Sequence, residues 1–307
     1  MLSYEGSAVL SDRAGGGRLL RGTRSSSVEA PLITVITATY NAALYLPTLV
    51  ASIRQQTYSG IEWIVMDAES TDGTIAILQS SSDVVDYWSS SADTGIYNAW
   101  NKALRHANGE WVCFLGADDY LWSSDAMARM AVALRDLPAD VRIAYAQVML
   151  LGRDDAPLYA VGTRCNSDLD RHLDVMKLPP HPGLMHRRAI FEQHGGFDES
   201  FRIAGDADLL FRELRHSTAR FVPDLVIAGM RQGGISSKPS NVLRSLQELR
   251  RIQRKYGVRW PGAALTKARL RAYVRLILWG IVGERLGRYV LDAGRRVSGK
   301  PAYWTRT

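Results

Sequence analysis

The chain has 307 residues, 46% of them hydrophobic, which is enough for one large domain or two small ones with a buried core. Its two cysteines exclude a disulfide framework, and no Cys and His residues stand at the spacing of a zinc site. The net charge of +7 comes without a zinc-finger, recognition-helix or RNA-binding signature, so nucleic acid is not an expected partner. Residues 1–30 lack the apolar run of a signal peptide and contain three successive glycines, which predicts a flexible tail on a cytoplasmic protein.

The first predicted elements alternate between strand and helix. An apolar run at residues 32–38 indicates a strand, and the polar residues Thr39, Tyr40 and Asn41 stand at its tip. A helical pattern follows, and then a second apolar strand that ends at Asp67. This βαβ alternation predicts an α/β fold with a parallel sheet.

A pair of adjacent acids is the most informative feature of the chain. The apolar run at residues 111–115 indicates a buried strand, and Asp118 and Asp119 follow it. Ligands of open α/β sheets bind beyond the carboxyl ends of the strands. Two carboxylates at such a place need a cation, and a hard divalent ion that also bridges phosphates fits them. A turn with a helix cap is the alternative, but Ser123 and Ser124 can cap the next helix.

Further motifs complete a pattern that resembles the family 2 glycosyltransferases of the GT-A fold. The motifs that carry the resemblance stand at residues 39–41, 56–58, 67–74, 93–102, 116–119, 181–182, 196–201, 204–209 and 233–236. They are in the order of the family and cover residues 31–237. The resemblance implies a Rossmann-like nucleotide-binding sheet that is fused to an acceptor-binding half. It also implies a nucleotide-sugar donor and inversion at the anomeric carbon.

The resemblance implies roles for particular residues. Those implied to bind the donor are Thr39, Tyr40, Asn41, Asp67, Asp93, Gly95 and Asp118. Asp119 is the implied direct ligand of Mg²⁺ or Mn²⁺. Gly95 precedes a predicted helix whose N-terminus could receive an anion, although an ordinary helix cap is the other interpretation.

The implied catalytic base is Asp206, which would take the proton of an acceptor hydroxyl, an effect typically of about 10²–10⁴-fold. Here Gly205 stands where the family has an acidic residue, and Asp208 is the competing candidate for the base. Two further candidate site residues also have a non-functional interpretation. His181 could contact a donor phosphate or the acceptor, or it could be structural, and Lys102 could contact the donor or be solvated.

The positive charge is concentrated at the carboxyl-terminal end. From Asn241 onwards there are sixteen Arg and Lys residues against three acids. Apolar residues recur there at helical spacing, but the run at residues 276–282 is too short to span a membrane. This predicts basic amphipathic helices on an anionic membrane surface. A helical hairpin that packs on the catalytic domain is the alternative.

The sequence therefore predicts a flexible tail (1–30), a catalytic domain (31–237) with a nucleotide-binding half (31–122) and an acceptor half (123–237), and a basic helical tail (238–307). The predicted function is a bacterial, metal-dependent, inverting glycosyltransferase. It would add one sugar per encounter to a lipid-linked or envelope-glycan acceptor at the inner face of the plasma membrane. One alternative is a sugar-nucleotide nucleotidyltransferase, but its Gly-rich loop is missing after the first strand. The other is an inactive glycan- or membrane-binding module. Asp154 and Asp155 are interpreted as a hairpin turn.

Overall fold

The strands of the computed structural model form a single mixed sheet. The structure describes residues 14–17, 30–152, 155–162, 178–215, 217–232, 234, 239–299 and 302–306. The strands within these ranges are β1 (Ala14–Gly16), β2 (Ile33–Thr39), β3 (Ile61–Asp67), β4 (Tyr87–Ser90), β5 (Trp111–Phe114), β6 (Tyr120–Leu121), β7 (Ile143–Leu151), β8 (Pro157–Val161), β9 (Leu184–Arg187) and β10 (Ala219–Arg231).

Helices connect and cover these strands. They are α1 (Leu46–Arg54), α2 (Thr74–Ser80), α3 (Ile96–Leu104), α4 (Ala126–Arg135), α5 (Ala189–His194), α6 (Gly205–Leu214), α7 (Pro239–Lys255) and α8 (Ala263–Val297). A short 3₁₀ turn at His181–Gly183 precedes β9. The predicted α/β class is confirmed, and the strands predicted at residues 32–38 and 111–115 match β2 and β5 to within one residue at each end.

The strand order explains why one edge of the sheet collects the polar tips. The order is β1-β4-β3-β2-β5-β9-β7-β10-β6. Strand β8 pairs with the second half of β7, and β9 pairs with the first half. Strands β2, β3, β4 and β5 are parallel, as predicted. Strand β9 is antiparallel to both β5 and β7, and β10 is parallel to β7. Strands β7 and β10 therefore run in the direction of β5, so all six carboxyl ends lie at one edge.

The alternation of side chains along the strands produces two hydrophobic layers. On β2, Ile33 and Val35 face one layer, where α1, α2 and α4 cover the sheet. Ile36 faces the other layer, where α3, α5 and α6 contribute their apolar faces together with parts of α7 and α8. The sheet is thus buried on both sides, which is the expected arrangement for a largely parallel sheet.

The amino-terminal segment differs in part from the predicted flexible tail. Residues 14–16 form the edge strand β1, antiparallel to β4. A Cβ at Gly16 would lie 2.9 Å from Nε1 of Trp88, so the glycines allow this close approach. The predictions for residues 1–13 and 18–29 lie outside the described residues.

Helix α7 belongs to the folded core rather than to a separate tail. Its residues Leu246 and Ile252 are buried against the second layer. The Glu248 carboxylate accepts hydrogen bonds of 2.9–3.0 Å from the backbone N–H groups of residues 202–204, which lead into α6. Helix α7 therefore holds the start of α6 in place.

The chain after α8 folds back onto the sheet. The buried carboxylate of Asp292 accepts hydrogen bonds of 2.8–3.0 Å from the backbone N–H groups of residues 303–305. The Tyr303 hydroxyl then donates to Oε1 of Gln232 at 2.7 Å. The carboxyl-terminal segment thereby contacts the residue that follows β10. None of the described helices contains a stretch apolar enough to cross a membrane.

Candidate active site

The loops after β2 and β3 are joined around Asp67, which is buried. Its carboxylate accepts hydrogen bonds from the Thr39 hydroxyl at 2.9 Å and the Ser90 hydroxyl at 2.7 Å. It also accepts from the backbone N–H of Ser70 at 2.9 Å and from the Ser70 hydroxyl at 2.5 Å. Because these groups come from three neighbouring strand ends, Asp67 fixes the ends relative to one another. Two of the predicted donor residues, Thr39 and Asp67, are therefore in direct contact.

Tyr40 and Asn41 form the rim of this region. Asn41 has a left-handed backbone (φ 48°), and its Oδ1 accepts the backbone N–H of Thr71 at 2.9 Å. The backbone N–H of Asn41 donates to the Ser70 hydroxyl at 2.8 Å. The side chain of Tyr40 is 67% exposed, so its ring is accessible to a ligand. Donor contacts by both residues stay a prediction.

The loop between β4 and α3 places Asp93 near Asp67. Its carboxylate accepts the backbone N–H of Gly95 at 2.8 Å. Burial raises the pKa of Asp93, and the charge of Asp67 acts in the same direction, while Lys102 and Arg202 oppose it. The four charged side chains thus form one electrostatic group at the start of α3.

Lys102 is bound to this loop rather than merely solvated. Its Nζ donates to the carbonyl oxygen of Ala92 at 2.8 Å and to the Ser91 hydroxyl at 3.1 Å. Gly95 has a φ of 135°, and a Cβ there would lie 3.0 Å from the Arg202 guanidinium. The loop therefore needs glycine at this position.

Asp118 and Asp119 lie in the turn between β5 and β6, folded back over Gly116. A Cβ at Gly116 would lie 2.8 Å from Oδ1 of Asp118 and 2.8 Å from Oδ2 of Asp119. The backbone N–H of Asp119 donates to the carbonyl oxygen of Gly116 at 3.1 Å. Both carboxylates thus occupy the space that any other side chain at position 116 would need.

The electrostatics of this pair favour a bound cation. Burial raises the pKa of Asp119 to about 8, and the neighbouring charge of Asp118 contributes to the rise. Burial also raises the pKa of Asp118. The described residues contain no cluster of three or more His, Cys, Asp or Glu side chains that could enclose a metal. Two carboxylates nevertheless suit Mg²⁺ or Mn²⁺, because these ions usually take their remaining ligands from waters and substrate phosphates.

Arg231, at the end of β10, contacts both members of the pair. Its backbone N–H donates to Oδ1 of Asp119 at 3.2 Å, and its Nη1 donates to the carbonyl oxygen of Asp118 at 2.7 Å. The rest of the guanidinium binds Asp155, which lies between β7 and β8. Sequence reasoning missed Arg231, because an arginine at a strand end carries no signal without its partners. Asp154 of the predicted turn lies outside the described residues.

Asp206 lies in the first turn of α6, against Tyr97 of α3. The Tyr97 hydroxyl is 3.3 Å from Oδ1 of Asp206. Burial raises the pKa of Asp206 to about 6, while hydrogen bonds, including the one from Tyr97, lower it. Because α3 begins just after the end of β4, this contact places Asp206 at the edge of the sheet that carries the other acids. Tyr97 is a second residue that sequence reasoning missed.

Asp208 faces away from this edge and is fully buried. Its carboxylate pairs with Lys255 of α7 at 2.9 Å and 3.0 Å, and with Arg212 at 3.3 Å. The Tyr256 hydroxyl donates to it at 3.1 Å. These contacts join α6 to α7, which gives Asp208 a structural role and leaves Asp206 as the better placed of the two candidates.

His181 belongs to an aromatic cluster. Its ring stacks on Trp100, with centroids 5.0 Å apart, and on Phe114, with centroids 5.3 Å apart. Burial lowers the pKa of His181 to about 3, so the ring is neutral at physiological pH. The aromatic packing fits the structural alternative, and a contact of the ring with the donor or the acceptor stays a prediction.

Comparison with known proteins agrees with the geometry. The family described as "Glycosyl transferase family 2" matches residues 34–149. An uncharacterized glycosyltransferase of Mycobacterium tuberculosis is 31% identical over 186 residues, which cover 60% of this chain and 69% of that protein. A PGL/p-HBAD biosynthesis glycosyltransferase of Mycobacterium bovis is 29% identical over 216 residues, which cover 68% of this chain and 81% of that protein.

Solved structures share the fold. A mannosyltransferase from Pyrobaculum calidifontis, solved in complex with GDP-Man and Mn²⁺, aligns with a TM-score of 0.57 at 22% identity and covers 86% of this chain and 76% of that one. TarS of S. aureus, residues 1–349 in complex with UDP-GlcNAc, aligns with a TM-score of 0.57 at 17% identity and covers 78% of this chain and 71% of that one. At these identities the likeness extends to the fold alone.

Proposed function

Because the chain belongs to glycosyltransferase family 2 and has the GT-A fold, we propose that it transfers one sugar from a nucleotide-sugar donor, with a divalent metal and with inversion. The observation that carries this proposal is the pair of the half-buried Asp118 and the buried Asp119 at the edge of the sheet that also holds Asp206. The nucleotide ligands of the similar structures, one of them with Mn²⁺, support the same donor class.

The proposed roles follow from the positions of the side chains. Thr39, Tyr40 and Asp67 line the rim and the strand ends where a base and ribose would bind. Asp118 and Asp119 would hold Mg²⁺ or Mn²⁺, which would stabilise the charge that develops on a diphosphate leaving group. In this proposal, these residues bind and orient the donor.

Asp206 is proposed as the general base. An acceptor hydroxyl is a weak nucleophile, and a carboxylate with a pKa of about 6 is ionised at neutral pH yet still basic enough to take its proton. A single base with a single leaving group corresponds to one displacement, which inverts the anomeric carbon. Retention would require two displacements and a nucleophilic side chain of the protein in the first of them. The proposal assigns that role to no residue, and it therefore predicts inversion.

The proposed acceptor is a lipid-linked or envelope glycan, reached at the inner face of the plasma membrane. Helix α8 supports this location, because one of its faces is apolar and exposed. The exposed apolar residues are Leu270, Tyr273, Val274, Ile277 and Ile281, followed beyond the break at Gly283 by Leu286, Tyr289, Val290 and Val297. The exposed cations Lys267, Arg271, Arg285 and Arg296 flank this face. Such a face fits the headgroup region of an anionic bilayer.

The proposal is tested by donor binding and by turnover. Purified protein is mixed with UDP-, GDP- and dTDP-sugars, with and without Mn²⁺, and thermal unfolding is followed, because ligands of the native state raise its stability. One donor should stabilise the protein in a metal-dependent manner. Asp119→Ala should abolish that dependence and turnover while the protein stays folded, and Asp118→Ala should be severe but less complete. Full turnover by Asp119→Ala would refute the metal assignment.

A further inference from the structure

The guanidinium of Arg231 contacts partners from several parts of the chain. Its side chain is only 11% exposed. Nε and Nη2 donate to the two carboxylate oxygens of Asp155, both at 2.5 Å, and Nη1 donates to the carbonyl oxygen of Asp118 at 2.7 Å. The planar group also lies over the rings of Tyr45 and Tyr120, at 5.2 Å and 5.4 Å from their centroids. Such a side chain is fixed in one orientation.

The partners come from separate parts of the chain. Tyr45 precedes α1 in the loop after β2, Tyr120 begins β6, and Asp155 lies in the turn between β7 and β8. Asp155 has a left-handed backbone with a φ of 58°, and both of its carboxylate oxygens contact Arg231. Arg231 therefore joins the donor-side loop, the acid pair and the β7–β8 turn.

We propose that Arg231 is a positioning residue for the acid pair, with Asp155 as its fixed counterion. The inference rests on the proposed function, since it assumes that Asp118 and Asp119 bind a metal with the donor diphosphate. Arg231 contacts the two acids through different groups. Its backbone N–H donates to the carboxylate of Asp119, and its guanidinium donates to the backbone carbonyl of Asp118. These contacts fix the turn that carries both acids before a ligand binds.

Two other roles fit the geometry less well. A bidentate phosphate contact through Nε and Nη2 would require the displacement of Asp155, because its carboxylate binds that edge of the guanidinium. Simple charge neutralisation would not need a planar fork, since a lysine would supply the same charge. The guanidinium uses its N–H groups for hydrogen bonds and its planar faces for contact with two tyrosine rings. These contacts depend on the shape of the group as well as on its charge.

The experiment compares Arg231→Lys, Arg231→Met and Asp155→Asn with wild type. The matched control is Arg54→Met, which breaks another two-pronged Arg–Asp contact, with Asp83 at 2.6 Å and 2.7 Å, in a pair that lies outside the proposed site. Mn²⁺ affinity is measured by the electron paramagnetic resonance signal of free Mn²⁺, in the presence of whichever of UDP or GDP stabilises wild type. Thermal unfolding is recorded for every variant.

Arg231→Lys and Arg231→Met should both weaken Mn²⁺ binding by about 10- to 100-fold, the usual effect of removing a group that orients metal ligands. Asp155→Asn should weaken it severalfold, and Arg54→Met should leave it unchanged. Wild-type Mn²⁺ affinity in Arg231→Met would overturn the proposal. So would recovery of that affinity in Arg231→Lys alone, because charge would then be sufficient.

If Arg231→Met does not fold, Asp155→Asn decides, and wild-type affinity in that variant overturns the inference. A wild-type protein that binds neither Mn²⁺ nor a nucleoside diphosphate would instead refute the proposed function on which the inference rests. A wild type that binds both, beside variants that bind equally well, would refute the role of Arg231 alone.

Discussion

The hydroxyl of Tyr97 lies 3.3 Å from Oδ1 of Asp206, and the ring of the same tyrosine occupies the space beside Gly205. A Cβ at Gly205 would lie 2.8 Å from Cε2 and from the hydroxyl-bearing Cζ of that ring, and 3.0 Å from Cδ2. The absence of an acidic residue at position 205 thus has a physical reason, because the buried tyrosine takes its place. Tyr97 is then the group that modulates the basicity of the proposed base.

The first prediction concerns the pH dependence of transfer. Asp206 acts as a base only when ionised, and its pKa is about 6, so kcat/KM should rise as the pH rises through about 6. Tyr97→Phe removes a hydrogen bond to the carboxylate, which raises the pKa further and moves this rise to higher pH. A hydrogen bond of about 1 kcal/mol corresponds to a severalfold change in proton affinity. Profiles of kcat/KM against pH for both proteins measure it, and an unmoved profile would contradict the contact.

The second prediction separates chemistry from stability at the two neighbouring acids. Asp206→Asn should lose turnover by about 10²–10⁴-fold and keep donor affinity, because the base acts on the acceptor. Its effect on stability should be neutral or favourable at pH 7. The pKa of Asp206 is raised in the folded protein, so its contribution to stability falls as the pH rises from the ordinary carboxyl value through about 6. Asparagine removes that penalty.

Asp208→Asn should show the opposite behaviour. It removes a buried carboxylate from Lys255, whose side chain is 39% exposed, and from Arg212. The free energy of unfolding should fall by about 1–3 kcal/mol, the cost of a lost hydrogen-bond partner of charged groups. Turnover per folded molecule should be retained. Calorimetry and turnover on both variants test the assignment, and an inactive but stable Asp208→Asn would transfer the role of base to Asp208.

The sequence predicted the parts of the site that depend on the local chain. A short apolar run followed by Asp67, or by Asp118 and Asp119, predicts a strand with acids at its end, and the parallel order brings such ends together. These inferences needed only periodicity and the direction of the strands. The end of β3 at Asp67 was therefore predicted correctly.

The contacts that modulate the acids could not be predicted in this way. Tyr97 and Asp206 are separated by 109 residues, and Arg231 and Asp118 by 113. No periodicity links such positions, and an arginine or tyrosine alone fits many surfaces. The choice between a membrane-bound and a packed α7 could not be made from the sequence either, since its basic composition hides the buried residues Leu246 and Ile252.

The third prediction concerns Gly116. An added methyl group would meet the carboxylate oxygens of Asp118 and Asp119 at 2.8 Å, and these side-chain ends can move more easily than backbone. Gly116→Ala should therefore keep the fold but displace the metal ligands, with a loss of Mn²⁺-dependent donor binding of about tenfold or more. Isothermal titration with donor and Mn²⁺ measures the loss.

The control for this substitution is Gly280→Ala on α8, where a Cβ would meet nothing within 4 Å. Alanine in an open helical position should leave donor binding unchanged and raise stability by about 0.4–1 kcal/mol. Equal donor affinity in Gly116→Ala and wild type would show that the carboxylates do not need the space above Gly116.

The exposed face of α8 requires point substitutions rather than truncation. Removing residues 262–307 would also remove Leu265 and Ala272 from the core, and it would release Tyr303 from Gln232 beside Arg231. Truncation should therefore lower the melting temperature and disturb donor binding, whether or not the helix binds a membrane.

The last prediction is that Ile277→Asp and Ile281→Asp release the protein from anionic vesicles. These side chains are 61% and 77% exposed, so their loss should leave the melting temperature nearly unchanged. Inserting such a side chain into the bilayer contributes about 1.5–3 kcal/mol, so each substitution should weaken binding at least tenfold. The contribution of Arg271 to membrane binding, about 1 kcal/mol, should decrease as the salt concentration rises, whereas the contribution of the apolar side chains should persist.

Val132→Asp, at an exposed apolar position on α4, is the control. Co-sedimentation with neutral and anionic liposomes at two salt concentrations measures these effects. A wild-type protein that ignores anionic vesicles at low salt, or that sediments as a dimer which Ile277→Asp dissociates, would assign this face to another partner.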